Sequence, residues 1–261
     1  MTRIGSTLLV ALSTALSVPL LRAADDFAWR GRVGAGQSIE IKGVNGPIRA
    51  ARAAGGDIEV TAVKRANKSD PASVTFDVKE HGGGVTVCAM YPSPDSSRPN
   101  ECAPGDGGRM NTRNNDVSVE FTVLVPAGVR LVARTVNGNV EAVSLASDIE
   151  ARTVNGKIDL RTSGRAAAKT VNGSIEARFG ASSGSDAIEF ETVNGSITLG
   201  LPHATDADLE ARTVNGEISS DLPLTVRGRV SRQELSGALG RGGRTLRLKT
   251  VNGSIRVQAG T

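Results

Sequence analysis

A chain of 261 residues with 39% hydrophobic and 22% charged residues can bury one sizeable core, and is too ordinary in charge for a disordered tail or a polycation. Three Met, five Phe and an aromatic content of 3% leave too few bulky side chains to fill a helical bundle. The two Cys and two His fit no zinc spacing, so neither a metal site nor a cofactor is expected.

Residues 1–24 predict a secretory signal peptide: Arg3, an apolar and small-residue stretch from Ile4 to Leu21, and no acid before Asp25. As a membrane span, that stretch of 18 residues contains Ser13, Thr14, Ser17 and Pro19. It sits at the short limit for a ~30 Å hydrocarbon core. No stable span is expected after cleavage, although Leu21 and Arg22 make an imperfect cleavage site. Losing Arg3 and Arg22 lowers the formal charge from +4 to +2, and a nearly neutral exported domain is a poor match for nucleic acid. The predicted address is the periplasm or the cell surface.

Residues 25–130 read as irregular β coils. Val74 to Glu80 and Val85 to Tyr91 flank the turn His81-Gly82-Gly83-Gly84. A long loop, 92–116, follows; in an exported chain Cys88 and Cys102 predict a disulfide that pins it, contributing roughly 3 kcal/mol. Val117 to Val123 alternates as a strand, and Pro126-Ala127-Gly128 turns into the next region.

Residues 131–261, continuous with these coils, are a repeat array. Thr-Val-Asn-Gly recurs with its Asn at Asn137, Asn155, Asn172, Asn194, Asn215 and Asn252, in steps of 18, 17, 22, 21 and 37 residues. The last step reads as two periods, with Ser236 of Glu234-Leu235-Ser236-Gly237-Ala238-Leu239 in the Asn position. Gly43-Val44-Asn45-Gly46 is an earlier relative. Period-two alternation flanks each Asn-Gly, as in Ile149-Glu150-Ala151-Arg152 before and Lys157-Ile158-Asp159-Leu160 after, so each period holds two short strands. A chain of hairpins needs only the Gly. A solenoid explains all four letters, because stacking at ~4.8 Å sets Asn over Asn and Thr over Thr. Small residues at Ala142, Ala151, Ala177 and Ala211 suit a thin coil. The expected fold is all-β: a single-domain parallel β-solenoid with C-terminal coils of about 18–22 residues.

The Gly-Val-Asn-Gly opening, Ala62-Val63-Lys64-Arg65-Ala66, the Val-Pro-Ala-Gly turn at 125–128 and the Arg-Thr-Val-Asn-Gly array together resemble the bacterial putative-adhesin family, a β-strand-repeat domain of unknown function. The resemblance covers about residues 36–258 and implies an exported β-solenoid at the cell envelope. It brings no catalytic residues. The Cys88–Cys102 excursion is longer than the family leads one to expect.

His81 and His203 lie in turns without a nucleophile motif, and Gly82 to Gly84 and Gly240 to Gly243 lack the phosphate-loop pattern. Glu150, Glu189 and Glu210 precede the Thr of their repeats, where a polysaccharide-cleaving β-helix could carry carboxylates. Their alternation with Arg152, Glu191 and Arg212 reads instead as a charge-paired face. No enzyme is expected. The residue before Thr-Val is basic in five of six copies: Arg134, Arg152, Lys169, Arg212 and Lys249, with Glu191 the exception. Stacked, they would form a row suited to an anionic glycan or other envelope polymer. The sequence thus predicts a non-catalytic adhesin-like envelope binding module. A structural or signalling partner of an envelope protein is the second reading, and a glycan-cleaving enzyme the third.

Overall fold

The computed structural model describes residues 26–180, 187–226 and 231–260, so the expected signal segment lies outside the described residues. The first part of the chain forms β1 (Phe27–Gly31), β2 (Ser38–Lys42), β3 (Ile48–Arg52), β4 (Ile58–Arg65), β5 (Thr75–His81), β6 (Gly84–Met90) and β7 (Ser118–Val125). Then come β8 (Arg130–Arg134), β9 (Val140–Leu145), β10 (Ile149–Arg152), β11 (Ile158–Thr162), β12 (Ala166–Lys169), β13 (Ile175–Phe179), β14 (Ile188–Glu191) and β15 (Ile197–Leu201). The last six are β16 (Ala207–Arg212), β17 (Ile218–Ser220), β18 (Leu224–Val226), β19 (Glu234–Leu239), β20 (Arg244–Lys249) and β21 (Ile255–Ala259). No described residue is α-helical, and none lies in a helix long and apolar enough to cross a membrane.

The alternation read from sequence becomes two sheets that share one core. One runs β1-β4-β7-β3-β9-β11-β13-β15-β21-β17, the other β18-β19-β16-β20-β14-β12-β10-β8-β2-β6-β5. Each regular rung puts one strand in the second sheet, crosses at the Thr-Val-Asn-Gly turn, and puts the next strand in the first sheet. Neighbouring rungs are parallel and in register, as in Ile158↔Ile175 and Ile175↔Ile197. The chain is a parallel β-solenoid. Its core is made of columns. The residue two places after each Gly joins one column, buried at Ile48, Val140, Ile158, Ile175, Ile197 and Ile255 and partly buried at the end rung's Ile218. Facing it from the other sheet run Ala133, Ala151 and Ala168, then Phe190, Leu248 and Ala211, all buried. Mostly small side chains there let the two sheets approach, as expected of a thin coil.

The order of the rungs departs from the order of the chain. The β2/β3 rung lies between β6/β7 and β8/β9, and the C-terminal β20/β21 rung lies between β14/β15 and β16/β17. The segment Glu234–Leu239 is therefore no degenerate coil. As β19 it runs antiparallel to β16, so Ser236 faces Glu210 and takes no place among the turn asparagines. A return hairpin consumes the 37-residue step, and the chain then threads back inside the stack. Antiparallel strands close both ends: β1-β4-β7 and β5-β6 at one, β16-β19-β18 at the other. At the first end Phe76 stacks on Phe27 (centroids 4.5 Å apart) and meets Phe121 edge-on (5.9 Å), so three of the five Phe close the gap between the sheets. At the other, the three-residue strands β17 and β18 leave only a short free edge.

Candidate binding edge

Three of the four repeated residues close the rung. Each Thr is buried, and its hydroxyl donates to the Gly carbonyl of the neighbouring rung: Thr135 to Gly46 (3.1 Å), Thr153 to Gly138 (2.9 Å), Thr170 to Gly156 (3.1 Å) and Thr192 to Gly173 (2.8 Å). Thr250 and Thr213 do the same to Gly195 and Gly253, both at 2.8 Å. The Gly is fixed by close approach, since a Cβ on Gly138 would overlap the Gly46 carbonyl and one on Gly156 the Gly138 carbonyl. The Asn side chains form one amide ladder. Each Nδ2 donates to the next Oδ1 at 2.7–2.9 Å, in the order Asn215, Asn252, Asn194, Asn172, Asn155, Asn137, Asn45. Asn45 ends the ladder beneath the long loop, donating to the Asn115 and Val117 carbonyls at 3.4 Å.

The Val does none of this. Val136, Val154, Val171, Val193 and Val214 are 37–56% exposed, and Val251 is half-buried. They form a solvent-facing row along the ladder, broken only where Val44 is buried near Tyr91, whose hydroxyl donates to the carbonyls of Val117 (2.8 Å) and Asn45 (3.3 Å). Each ladder amide keeps a second N–H and a second lone pair uncommitted by the ladder.

Beside this edge the predicted cations fall into one register column, in the order Arg134, Arg152, Lys169, Glu191, Lys249, Arg212. Lys42 extends it at one end and Glu234 at the other, neither foreseen as part of the row. Every cation in it has a carboxylate or carbonyl partner. Arg134 meets Glu40 (3.0 Å), Glu150 (3.3 Å) and Asp106; Arg152 meets Glu150 (2.9 Å) and Asp106 (3.4 Å). Lys169 meets Glu191 (3.2 Å) and Glu189 (3.4 Å), Lys249 meets Glu191 (3.3 Å), and Arg212 meets Glu234 (2.6 Å). Lys42 Nζ donates to the Ala103 and Gly107 carbonyls, and burial lowers its pKa. Hydrogen bonding to Arg134 holds the Asp106 carboxyl below its usual range; hydrogen bonding to Lys169 does the same for Glu191. The column is a band of alternating charge rather than a bare cationic strip.

The same pairs bear on the expected absence of catalysis. Glu150 lies among Arg130, Arg134 and Arg152, while Glu189 and Glu210 pair with Lys169 (3.4 Å) and Arg247 (3.3 Å). His81 is the outer member of a short relay: Nε2 donates to the Thr86 hydroxyl (3.2 Å), which donates to buried Glu40 (3.0 Å). His203 lies in a turn between β15 and β16. Cys88 and Cys102 form a disulfide with Cα atoms 5.9 Å apart, and the loop it anchors supplies Asp106 and the Gly105 N–H that caps Glu40 (2.9 Å). These loop contacts span 28 to 65 positions of the chain and carry no sequence signal.

The profile of one family matches residues 37–258, nearly the whole of the described chain. The chain belongs to the Toastrack DUF4097 family. No curated protein matches the sequence. Among solved structures, this Toastrack chain is similar to a putative cell adhesion protein from Clostridium sporogenes, at TM-score 0.52 and 10% identity, covering 89% of this chain and 99% of that one. Looser likenesses are a putative adhesin from Bacteroides fragilis (TM-score 0.26, 12% identity, 89% and 96% covered) and one from Parabacteroides merdae (0.21, 10%, 90% and 96%). The first likeness bears on the fold of the Toastrack chain; the other two carry no weight.

Proposed function

We propose that this Toastrack chain is an exported, non-catalytic envelope binding module that docks an extended glycan along its Thr-Val-Asn-Gly edge. One observation carries the reading. Of the four repeated residues, Thr, Asn and Gly each complete a contact between rungs, whereas Val is turned to solvent in rung after rung. Folding gives no reason for that choice, and an apolar row across six rungs, exposed in five of them and roughly 24 Å long at ~4.8 Å per strand, is a surface for a linear partner. Uncommitted amide N–H groups and lone pairs beside it suit sugar hydroxyls. Arg134, Arg152, Lys169, Lys249 and Arg212 border the edge, and their paired carboxylates favour a neutral or sparsely charged polymer over a dense polyanion. Repetition then multiplies weak contacts.

The test is co-sedimentation of the signal-free protein with an insoluble envelope glycan fraction at low and high salt. Val154→Asp, Val171→Asp and Val193→Asp combined should abolish retention while circular dichroism stays that of the parent. Exchange of Arg134, Arg152, Arg212 and Lys249 for Gln should remove only the salt-sensitive part. Full retention by the triple Asp variant would overturn the reading. Retention on envelope protein but not on glycan would favour a protein partner instead.

A further inference from the structure

On the opposite edge, where the strands of the first sheet end, lies an open depression of about 620 Å³ lined by Arg52, Arg161 and Arg178 together with Ser144, Ser163 and the backbone around them. Four successive rungs, β3, β9, β11 and β13, contribute to it, so it extends along the solenoid axis for about 14 Å at ~4.8 Å per strand. Among the described residues, its lining holds three guanidinium groups and no carboxylate.

The charges here differ from those of the paired column on the other edge. Arg52 makes no ion pair with a described residue. Arg161 reaches Asp159 only at 3.9 Å. Arg178 meets Glu176, but Glu176 is also taken by Lys157 at 2.8 Å, which in turn shares Asp159 at 3.5 Å. The acidic column Glu141, Asp159 and Glu176 stands two residues nearer the Thr-Val-Asn-Gly edge, outside the depression.

The backbone is also unusual at this place. Ser144 has φ 54°, one of two non-glycine residues with positive φ among those described, and it sits where β9 bulges against β11. A non-glycine residue there is strained, and such strain gathers at binding sites. The bulge leaves the Ser144 hydroxyl exposed; the Ser163 hydroxyl is exposed as well. On the next rung the position after Leu199 is Gly200, and a Cβ there would lie 3.3 Å from Arg178 Cγ, so the missing side chain gives the Arg178 stem its room.

We propose that this depression is a second site, which binds an acidic glycan segment through its oxyanionic groups. Planar guanidinium forks match carboxylate, sulfate and phosphate oxygens bidentately, and the two serine hydroxyls are donors to the sugar or to the same oxygens. The site is independent of the apolar edge: either could fail without the other.

Calorimetric titration of the signal-free protein tests it with three oxyanionic probes: oligogalacturonate, a sulfated oligosaccharide and inorganic tripolyphosphate. A neutral maltooligosaccharide is the control. At least one oxyanionic probe should bind at low salt at least tenfold more tightly than the control. Arg52→Gln, Arg161→Gln and Arg178→Gln combined should lose at least tenfold in affinity for it. Arg134→Gln with Arg152→Gln, on the other edge, should change it less than twofold. Which acidic saccharide binds best identifies the oxyanion, and binding of tripolyphosphate alone would overturn the glycan assignment. Equal affinity of the triple Gln variant and the parent, equal loss in the Arg134 and Arg152 variant, or no preference of the parent for any oxyanionic probe would overturn the proposal. Melting curves of each variant exclude loss of fold, and the single Arg161→Gln variant, at an exposed position, serves if the triple variant is unstable.

Discussion

Replacing Thr153 by Val tests the stacking of the rungs at the level of one atom. The two side chains have nearly the same shape, so packing is held constant and only the hydroxyl is lost. In the native rung that hydroxyl donates to the Gly138 carbonyl at 2.9 Å, and it also lies 3.3 Å from the Val136 carbonyl. The Val136 carbonyl keeps the backbone N–H of Asn155 at 2.7 Å. The Gly138 carbonyl takes no backbone N–H, so Val at position 153 leaves it without a donor where the neighbouring Gly156 packs against it. An acceptor stranded in this way costs about 1–3 kcal/mol. For a domain of this size each kcal/mol lowers Tm by ~2–4 °C, so a loss of roughly 2–12 °C is expected. The control is Val154→Thr, one residue on, where an exposed side chain should leave stability within ~0.5 kcal/mol. Thermal melts followed by far-UV circular dichroism give both values. A Thr153→Val protein melting with the parent, or no lower than Val154→Thr, would refute the account of why Thr precedes Val-Asn-Gly in six of its seven copies.

Deleting residues 244–261 removes a rung from inside the stack, with Leu246, Leu248, Ile255 and Val257 all buried. At ~1.5–3 kcal/mol per side chain the loss is about 6–12 kcal/mol, against a usual total of ~5–15 kcal/mol. The truncated chain should therefore lose its cooperative melt, whereas removal of a terminal rung from a stack in chain order would only lower Tm. Asp116 gives a pH prediction. The Ser69 hydroxyl and the backbone N–H groups of Ser69, Lys68 and Asn67 hold its carboxyl down at about 2, from an ordinary 3.8. A depressed carboxylate stabilises the fold above its unfolded pKa and loses that contribution as pH falls through the folded one. Acid titration of Asp116→Asn should show a shallower fall in stability between about pH 4 and pH 2; an unchanged slope would count against the contact.

The recurring letters were legible because each has a separate physical task once rungs lie in register. Thr binds a carbonyl, Gly admits one, and Asn extends a ladder. The rung order was not legible for the same reason. Identical turns make every rung face equally adhesive, so nothing in Thr-Val-Asn-Gly tells rung β14/β15 that β20/β21 rather than β16/β17 is its neighbour. That choice rests on interior fit, such as Phe190 beside Leu248, and on a return hairpin whose Ser236-Gly237 mimics the repeat. At the candidate edge the positions of Arg134, Arg152, Lys169, Lys249 and Arg212 could be read from period alone. Three of their partners could not: Glu40, Asp106 and Glu234 come from an inserted rung, a disulfide loop and an antiparallel strand. The three-arginine depression was hidden because only Arg161 and Arg178 share a place in the repeat, while Arg52 lies one residue further along its own rung.

Cysteine pairing along the amide ladder tests the threaded stack most directly. Adjacent rungs set Cα atoms ~4.8 Å apart, within disulfide reach, whereas rungs one removed lie ~9.6 Å apart, beyond it. With Cys88 and Cys102 left in place, Asn194→Cys with Asn252→Cys and Asn215→Cys with Asn252→Cys should each oxidise to a second disulfide. Asn194→Cys with Asn215→Cys should keep both thiols. A disulfide in the last pair, with none between positions 194 and 252, would mean that the rungs stack in chain order and would contradict the account.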